Sequence, residues 1–179
     1  SYSYKENEKI FKNLARAHIV YHKASELDKS LIERARVRAL SVNIARHLVN
    51  TPPNLKTPGL LAKTIKSLKW STQSKVEIWN EAKLKTQKCG LILAVGQGSA
   101  HPPCLVKISY RPKKKSTKGL VAIVGKAITF DTGRLDIKPS AGMRMMKKDM
   151  GGAASAVGIA QWVDQSRYGA PVDFYLAIA

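Results

Sequence analysis

Apolar and polar positions divide the chain into alternating helical and extended stretches. Over residues 28–49, Leu31, Ala35, Ala39, Val42 and Ala45 recur every three to four positions, with Leu40, Ile44 and Leu48 beside them. That spacing predicts a helix with a wide apolar stripe. Asn50-Thr51-Pro52-Pro53 ends it, because a residue before proline is driven out of the helical region. Thr57-Pro58 supplies an N-cap and a first-turn proline for a second helix, whose buried face is Leu61, Ile65 and Leu68. Val76 to Trp79 alternates as a strand does, and Glu81 to Lys88 predicts a short helix closed by Gly90. Leu91 to Val95 is a continuous apolar run, as in a strand covered on both faces.

Beyond the turn at Gly96-Gln97-Gly98-Ser99, Leu105 to Tyr110 and Leu120 to Val124 read as two strands joined as a hairpin by a lysine-rich loop. Gly152 to Gln165 is a small-residue helix able to lie close on a sheet, and Val172 to Ile178 is again strand-like. Strands alternating with helices predict an α/β fold, here a mixed, mostly parallel sheet flanked by helices, and no internal repeat is present.

A length of 179 residues suits one domain, and 44% hydrophobic with 24% charged residues is a globular composition. No apolar run approaches the ~18 residues of a membrane span, and the opening SYSYKENEK has no signal-peptide core. With no membrane partner and only Cys89 and Cys104, too few for a disulfide framework, the chain is expected in a reducing compartment, the cytoplasm or an organellar matrix. Both cysteines are expected to be small buried apolar groups. The sequence opens on Ser and stops within a strand-like run, which predicts a piece of a longer domain.

Charge departs from the ordinary. Lys and Arg number 31 against 12 Asp and Glu, a formal +19, and residues 1–119 alone carry 24 basic and 7 acidic side chains. The densest stretch holds Lys107, Arg111, Lys113, Lys114, Lys115 and Lys118 without an acid between them. Such a field attracts phosphates and other anions and is silent about fold. As structure it is the solvated tip of a hairpin, and Trp70, Trp79 and Tyr110 do not interleave with it as a base-stacking platform would.

Chemistry concentrates between Gly125 and Ala154, where Asp131, Asp136, Lys138 and Asp149 fall near predicted strand and helix ends. Carboxylates and lysines there can bind a divalent metal, polarise a carbonyl or simply pair with one another, and spacing alone leaves a surface ion-pair patch as the plainer account. His18, His22, His47 and His101 lack ligand-like company, and Met143, Met145 and Met146 suit core filler or a pocket wall.

The frame V-G-K-x-x-T-F-D-T-G-x-L-x-x-K-P from Val124, with K-x-D-M-G-G-A-A from Lys147, resembles the first half of the active site of the leucyl (cytosol) aminopeptidase family. Ala45 to Asn54 resembles that family's asparagine-threonine-proline segment, and Leu93 to Ser99 its glycine turn. The resemblance implies a two-metal exopeptidase holding manganese or zinc, acting on peptide substrates and assembling as a homo-oligomer, a hexamer by family habit. It divides the chain into 1–56, the end of an N-terminal region with its linker helix, and 57–179, the first part of the catalytic domain. By position it makes Lys126, Asp131 and Asp149 metal ligands and Lys138 the catalytic residue on the scissile carbonyl. Gly133, Arg134, Gly151 and Gly152 form the site loops.

Two departures accompany it. Arg134 stands where a second loop glycine is usual, and the family's N-T-D-A-E-G-R motif, source of the remaining ligands, is not in the sequence. The chain alone is therefore expected to be inactive as a peptidase. A second class stays open: a catalytically inactive paralogue whose basic surface, the Lys107 to Lys118 residues above, binds RNA or a ribosome-like assembly.

Overall fold

Asp28 starts the first helix, α1 (Lys29–Asn50), by accepting the Ser30 amide on its carboxylate at 2.8 Å. The computed structural model describes residues 28–133 and 136–179, so His18, His22 and Arg134 lie outside the described residues. Helix α1 ends at the predicted proline pair, with the Thr51 amide and hydroxyl both donating to the His47 carbonyl. Its buried side differs from the predicted stripe. Val37, Ser41 and Leu48 face the fold, whereas Leu31 and Val42 are 53% and 50% exposed. Contact with a later helix selects that side: a Cβ on Gly158 would lie 2.9 Å from the Ser41 carbonyl oxygen, so α1 approaches there, backbone to backbone.

Helix α2 (Pro58–Ser67) buries Leu61, Ala62 and Ile65 as expected, with Leu68 packed at its end. The Thr57 side chain caps nothing; its carbonyl accepts the Leu61 amide instead. Strand β1 (Ser74–Trp79) leads through an Asn80 cap into α3 (Glu81–Thr86). The left-handed residue that turns the chain after α3 is Lys88, at φ 55°, and Gly90 instead opens a further helix, α4 (Gly90–Gly96). The run Leu91 to Val95 is thus helical, not a buried strand, and Leu91 is 86% exposed. A short apolar run has no period to separate the two, and strands β1 and β2 pair directly along their length, leaving no slot for it.

The sheet contains β2 (Cys104–Tyr110), β3 (Val121–Ala127) and β4 (Val172–Ile178) in the order β1-β2-β4-β3. It is mixed: β1, β3 and β4 run one way and β2 the other, with a single parallel ladder between β3 and β4. β2 and β3 are therefore not a hairpin. β4 lies between them, setting Cys104 opposite Ile178 on one side and Val121 opposite Val172 on the other. Burial explains the order, because β4 hides Val172, Phe174, Leu176 and Ile178 while Val124 of β3 is 75% exposed at the edge.

Helix α6 (Gly151–Gln165) links β3 to β4 and packs Ala153, Ala156, Val157 and Ala160 into the core with Val106, Ile108 and Phe174. Before it come α5 (Ser140–Met143) and a 3-10 turn at Met146–Lys148. Asp164, buried on α6, is satisfied by the Ser71 amide and the Ser71 and Ser74 hydroxyls, which ties the approach to β1 against the helix. Among the described residues no helix is long and apolar enough to cross a membrane.

Candidate active site

Two glycines bring the end of β3 against the start of α6. A Cβ on Gly125 would sit 2.7 Å from the Ala153 Cα, and one on Gly152 would sit 3.3 Å from the Lys126 nitrogen. Gly151 faces open space, so of the predicted glycine pair only Gly152 answers a close approach. The contact places Lys126 beside the loop entering α6. Its Nζ lies 3.0 Å from Asp149 Oδ2. The pair is not aligned as a hydrogen bond, and Oδ2, shielded from solvent, accepts none.

Asp131 and Lys138 belong to the loop after β3. Gly133, at φ 92°, turns it, and a Cβ there would fall 2.1 Å from the Asp136 carbonyl oxygen. The Asp136 amide then donates to the Gly133 carbonyl and the Lys138 amide to the Thr132 carbonyl, closing the loop on itself. Asp131 Oδ1 accepts the Gly133 amide at 2.9 Å, and Lys138 Nζ donates to Asp131 Oδ2. That bond first, then the Gly133 amide and the charges of Lys138 and Lys126, hold the Asp131 carboxyl below the usual range, against a smaller opposing effect of burial.

Two lysine-carboxylate pairs thus stand at the end of β3 and in the loop after it, Lys126 with Asp149 and Lys138 with Asp131, linked by the effect of the Lys126 charge on Asp131. Among the described residues no three His, Cys, Asp or Glu side chains gather as a metal cluster. The donors available to a divalent ion are two carboxylates and one amine. Asp149 Oδ2, buried and without a hydrogen bond, has the open valence that a hard cation fills, and in this respect the residues fit the group.

The basic run does not act as one patch. Arg111 Nη1 donates to Asp173 Oδ1 at 2.7 Å, and Lys107 Nζ lies 3.7 Å from the other oxygen and above the Tyr175 ring. Burial works to raise the Asp173 pKa, but hydrogen bonds from Arg111 and Ser109 and the charges of Arg111 and Lys107 outweigh it and hold the carboxyl low. Lys113, Lys114, Lys115 and Lys118 remain exposed on the loop between β2 and β3.

Burial pushes the Cys104 thiol up to about 11, an unreactive state, while Cys89 is only half-buried. The core methionine is Met150; Met143 and Met146 are half-buried and Met145 is exposed. Sequence reasoning passed over Lys56, which is 2% exposed beneath the site. Nothing in a single lysine between Leu55 and Thr57 signals burial.

The model of the cytosol aminopeptidase family, catalytic domain, matches residues 43–179. A probable cytosol aminopeptidase of Rhodococcus opacus is 45% identical over 145 residues, 81% of this chain and 28% of that protein. One from Pseudomonas fluorescens is 47% identical over 128 residues, 71% of this chain and 26% of its own length. Among solved structures, the cytosol aminopeptidase of Coxiella burnetii superposes with a TM-score of 0.76 at 33% identity, over 85% of this chain and 33% of that one. The bottromycin maturation enzyme BotP in complex with Mn gives 0.78 at 32%, over 84% and 32%. The chain thus spans between a quarter and a third of the length of these relatives. The family match takes in the segment that carries Lys126, Asp131, Lys138 and Asp149, the fold superposes on solved members, and the chain belongs to the cytosol aminopeptidase family.

Proposed function

We propose that this segment forms one wall of a metal-dependent aminopeptidase site that removes N-terminal residues from peptides, in a homo-oligomer such as a hexamer. The observation that carries the reading is the pair of Lys126 with Asp149 at the end of β3, whose Asp149 Oδ2 is buried and accepts no hydrogen bond, with Asp131 under the influence of the Lys126 charge. A bound divalent ion of the manganese or zinc class would supply a Lewis acid and an activated water. Asp131 and Asp149 would hold it through carboxylate oxygens, and Lys126 through its amine once the proton is lost.

Lys138 has a different task. It keeps its proton, exchanges Asp131 for the carbonyl oxygen of the scissile bond and stabilises the negative charge that grows there. A side chain 30% exposed has room for that exchange. These 179 residues contribute three ligands, so turnover needs further ligands from outside this stretch.

The test is a calorimetric titration of the chain with Mn²⁺, repeated on Lys126→Met. Binding by the parent, weakened roughly 100-fold or more in the variant, is expected if the amine is a ligand. No heat with the parent chain, or equal affinity in the variant, overturns the assignment.

A further inference from the structure

Lys56 is a buried ammonium that no carboxylate pairs with among the described residues. Its Nζ donates to the carbonyls of Leu48 and Val49, both at 3.1 Å, and to that of Lys147 at 2.6 Å. All three protons of the ammonium are thereby used. Two acceptors belong to the last turn of α1, where carbonyls have no helical partner and the helix dipole is negative. The third belongs to the 3-10 turn that leads into Asp149.

That turn explains why the Lys147 carbonyl matters. The Lys148 amide donates to the Met145 carbonyl and the Asp149 amide to the Met146 carbonyl, each at 3.1 Å, so the turn satisfies its first two carbonyls itself. The next carbonyl is that of Lys147, and its acceptance of a Lys56 proton fixes the plane of the peptide between Lys147 and Lys148. Asp149 follows directly, and its orientation decides whether Oδ2 faces Lys126.

We infer that Lys56 is a positioning residue that fastens the Asp149 turn to the end of α1 and so presets the Asp149 carboxylate for a metal ion. The inference rests on the metal reading given above. Burial, with a smaller effect of the Lys147 charge, draws the Lys56 pKa down to about 8, which marks the expense of keeping a cation here rather than an apolar side chain. A merely structural plug has no need of that charge. Methionine would fill similar space without desolvating an ion.

The experiment compares the parent chain with Lys56→Met, Lys56→Gln and Lys126→Met. It measures Mn²⁺ affinity by calorimetry, and hydrogen exchange at the Lys148 and Asp149 amides in the metal-free protein. Lys56→Met is expected to weaken Mn²⁺ roughly 10- to 100-fold, the usual effect of losing a group that orients a ligand, and to speed exchange at both amides. Thermal stability is expected to fall as well, because the Leu48, Val49 and Lys147 carbonyls lose their donor, so the affinity and exchange readouts decide the matter rather than the melting temperature. Lys56→Gln, with two donors, should fall between parent and Met, and decides the matter should the Met variant not fold. Parent-like affinity and exchange in Lys56→Met, or in Lys56→Gln where that variant decides, overturn the inference. A parent chain that binds no Mn²⁺ sinks the metal reading instead, while the exchange measurement still decides whether Lys56 fixes the turn.

Discussion

Asp173 and Asp149 both meet a lysine in this fold, and they differ in what is left over. Asp173, its side chain 4% exposed, takes Arg111 at 2.7 Å, a Tyr175 hydroxyl at 3.3 Å and Lys107 at 3.7 Å. Both oxygens of that carboxylate have partners. Asp149 has Lys126 at 3.0 Å, out of alignment, and a shielded oxygen that accepts nothing. The first arrangement is finished as structure and stabilises the fold, whereas the second has capacity for a further positive partner. The contrast separates an ion pair whose carboxylate is fully partnered from one that leaves a buried oxygen without a hydrogen bond.

The contrast can be broken most severely at Gly125, whose missing Cβ lets the open site form. Gly125→Val forces β3 and α6 apart and should cost about 3 kcal/mol, read as a lowered midpoint in urea. Next is Lys126→Met, whose loss of Mn²⁺ affinity by roughly 100-fold corresponds to about 2.7 kcal/mol of binding with little change in unfolding. A larger effect on stability than on binding would make this pair as structural as Asp173.

Arg111→Ala should do the reverse, costing about 2 kcal/mol of stability because a buried carboxylate loses its best donor, and leaving Mn²⁺ affinity unchanged. The same pair sets a pH dependence. Asp173 has a lower pKa folded than its unfolded value of 3.8, so the unfolded chain binds more protons in between. Its contribution is complete above about pH 4 and is lost as pH falls below, and Asp173→Asn should remove that part of the acid sensitivity. The smallest effect belongs to Lys113, Lys114 and Lys115, which touch neither cluster. Replacing all three by Ser should move stability by less than about 0.5 kcal/mol, and a larger loss would show that the exposed half of the basic run is structural after all.

How far the sequence disclosed this depends on whether the deciding interactions were local. Proline at Pro52 and Pro58 bounds two helices through its own ring, and those boundaries were readable. The four candidate site residues were singled out because their spacing matches a family frame, and the turn at Gly133 accounts locally for the pairing of Asp131 with Lys138. The exposed side of α1 was misread, since the buried side is chosen by Gly158, more than a hundred residues away. Leu91 to Val95 was misread because a five-residue apolar run satisfies either helix or strand. Lys56 was invisible for a related reason: its three acceptors come from two other segments, one of them 91 residues distant.

The placement of β4 between β2 and β3 has a consequence in time. During synthesis, residues 104–127 leave the ribosome some 45 residues before the strand that separates and joins them, and β3 has no ladder of its own until it arrives. Until residues 172–178 emerge, the exposed backbone edges of β2 and β3 can pair with each other as the hairpin their sequence suggests, and that pairing must open before the native sheet closes. The sheet of this segment thus closes only around β4.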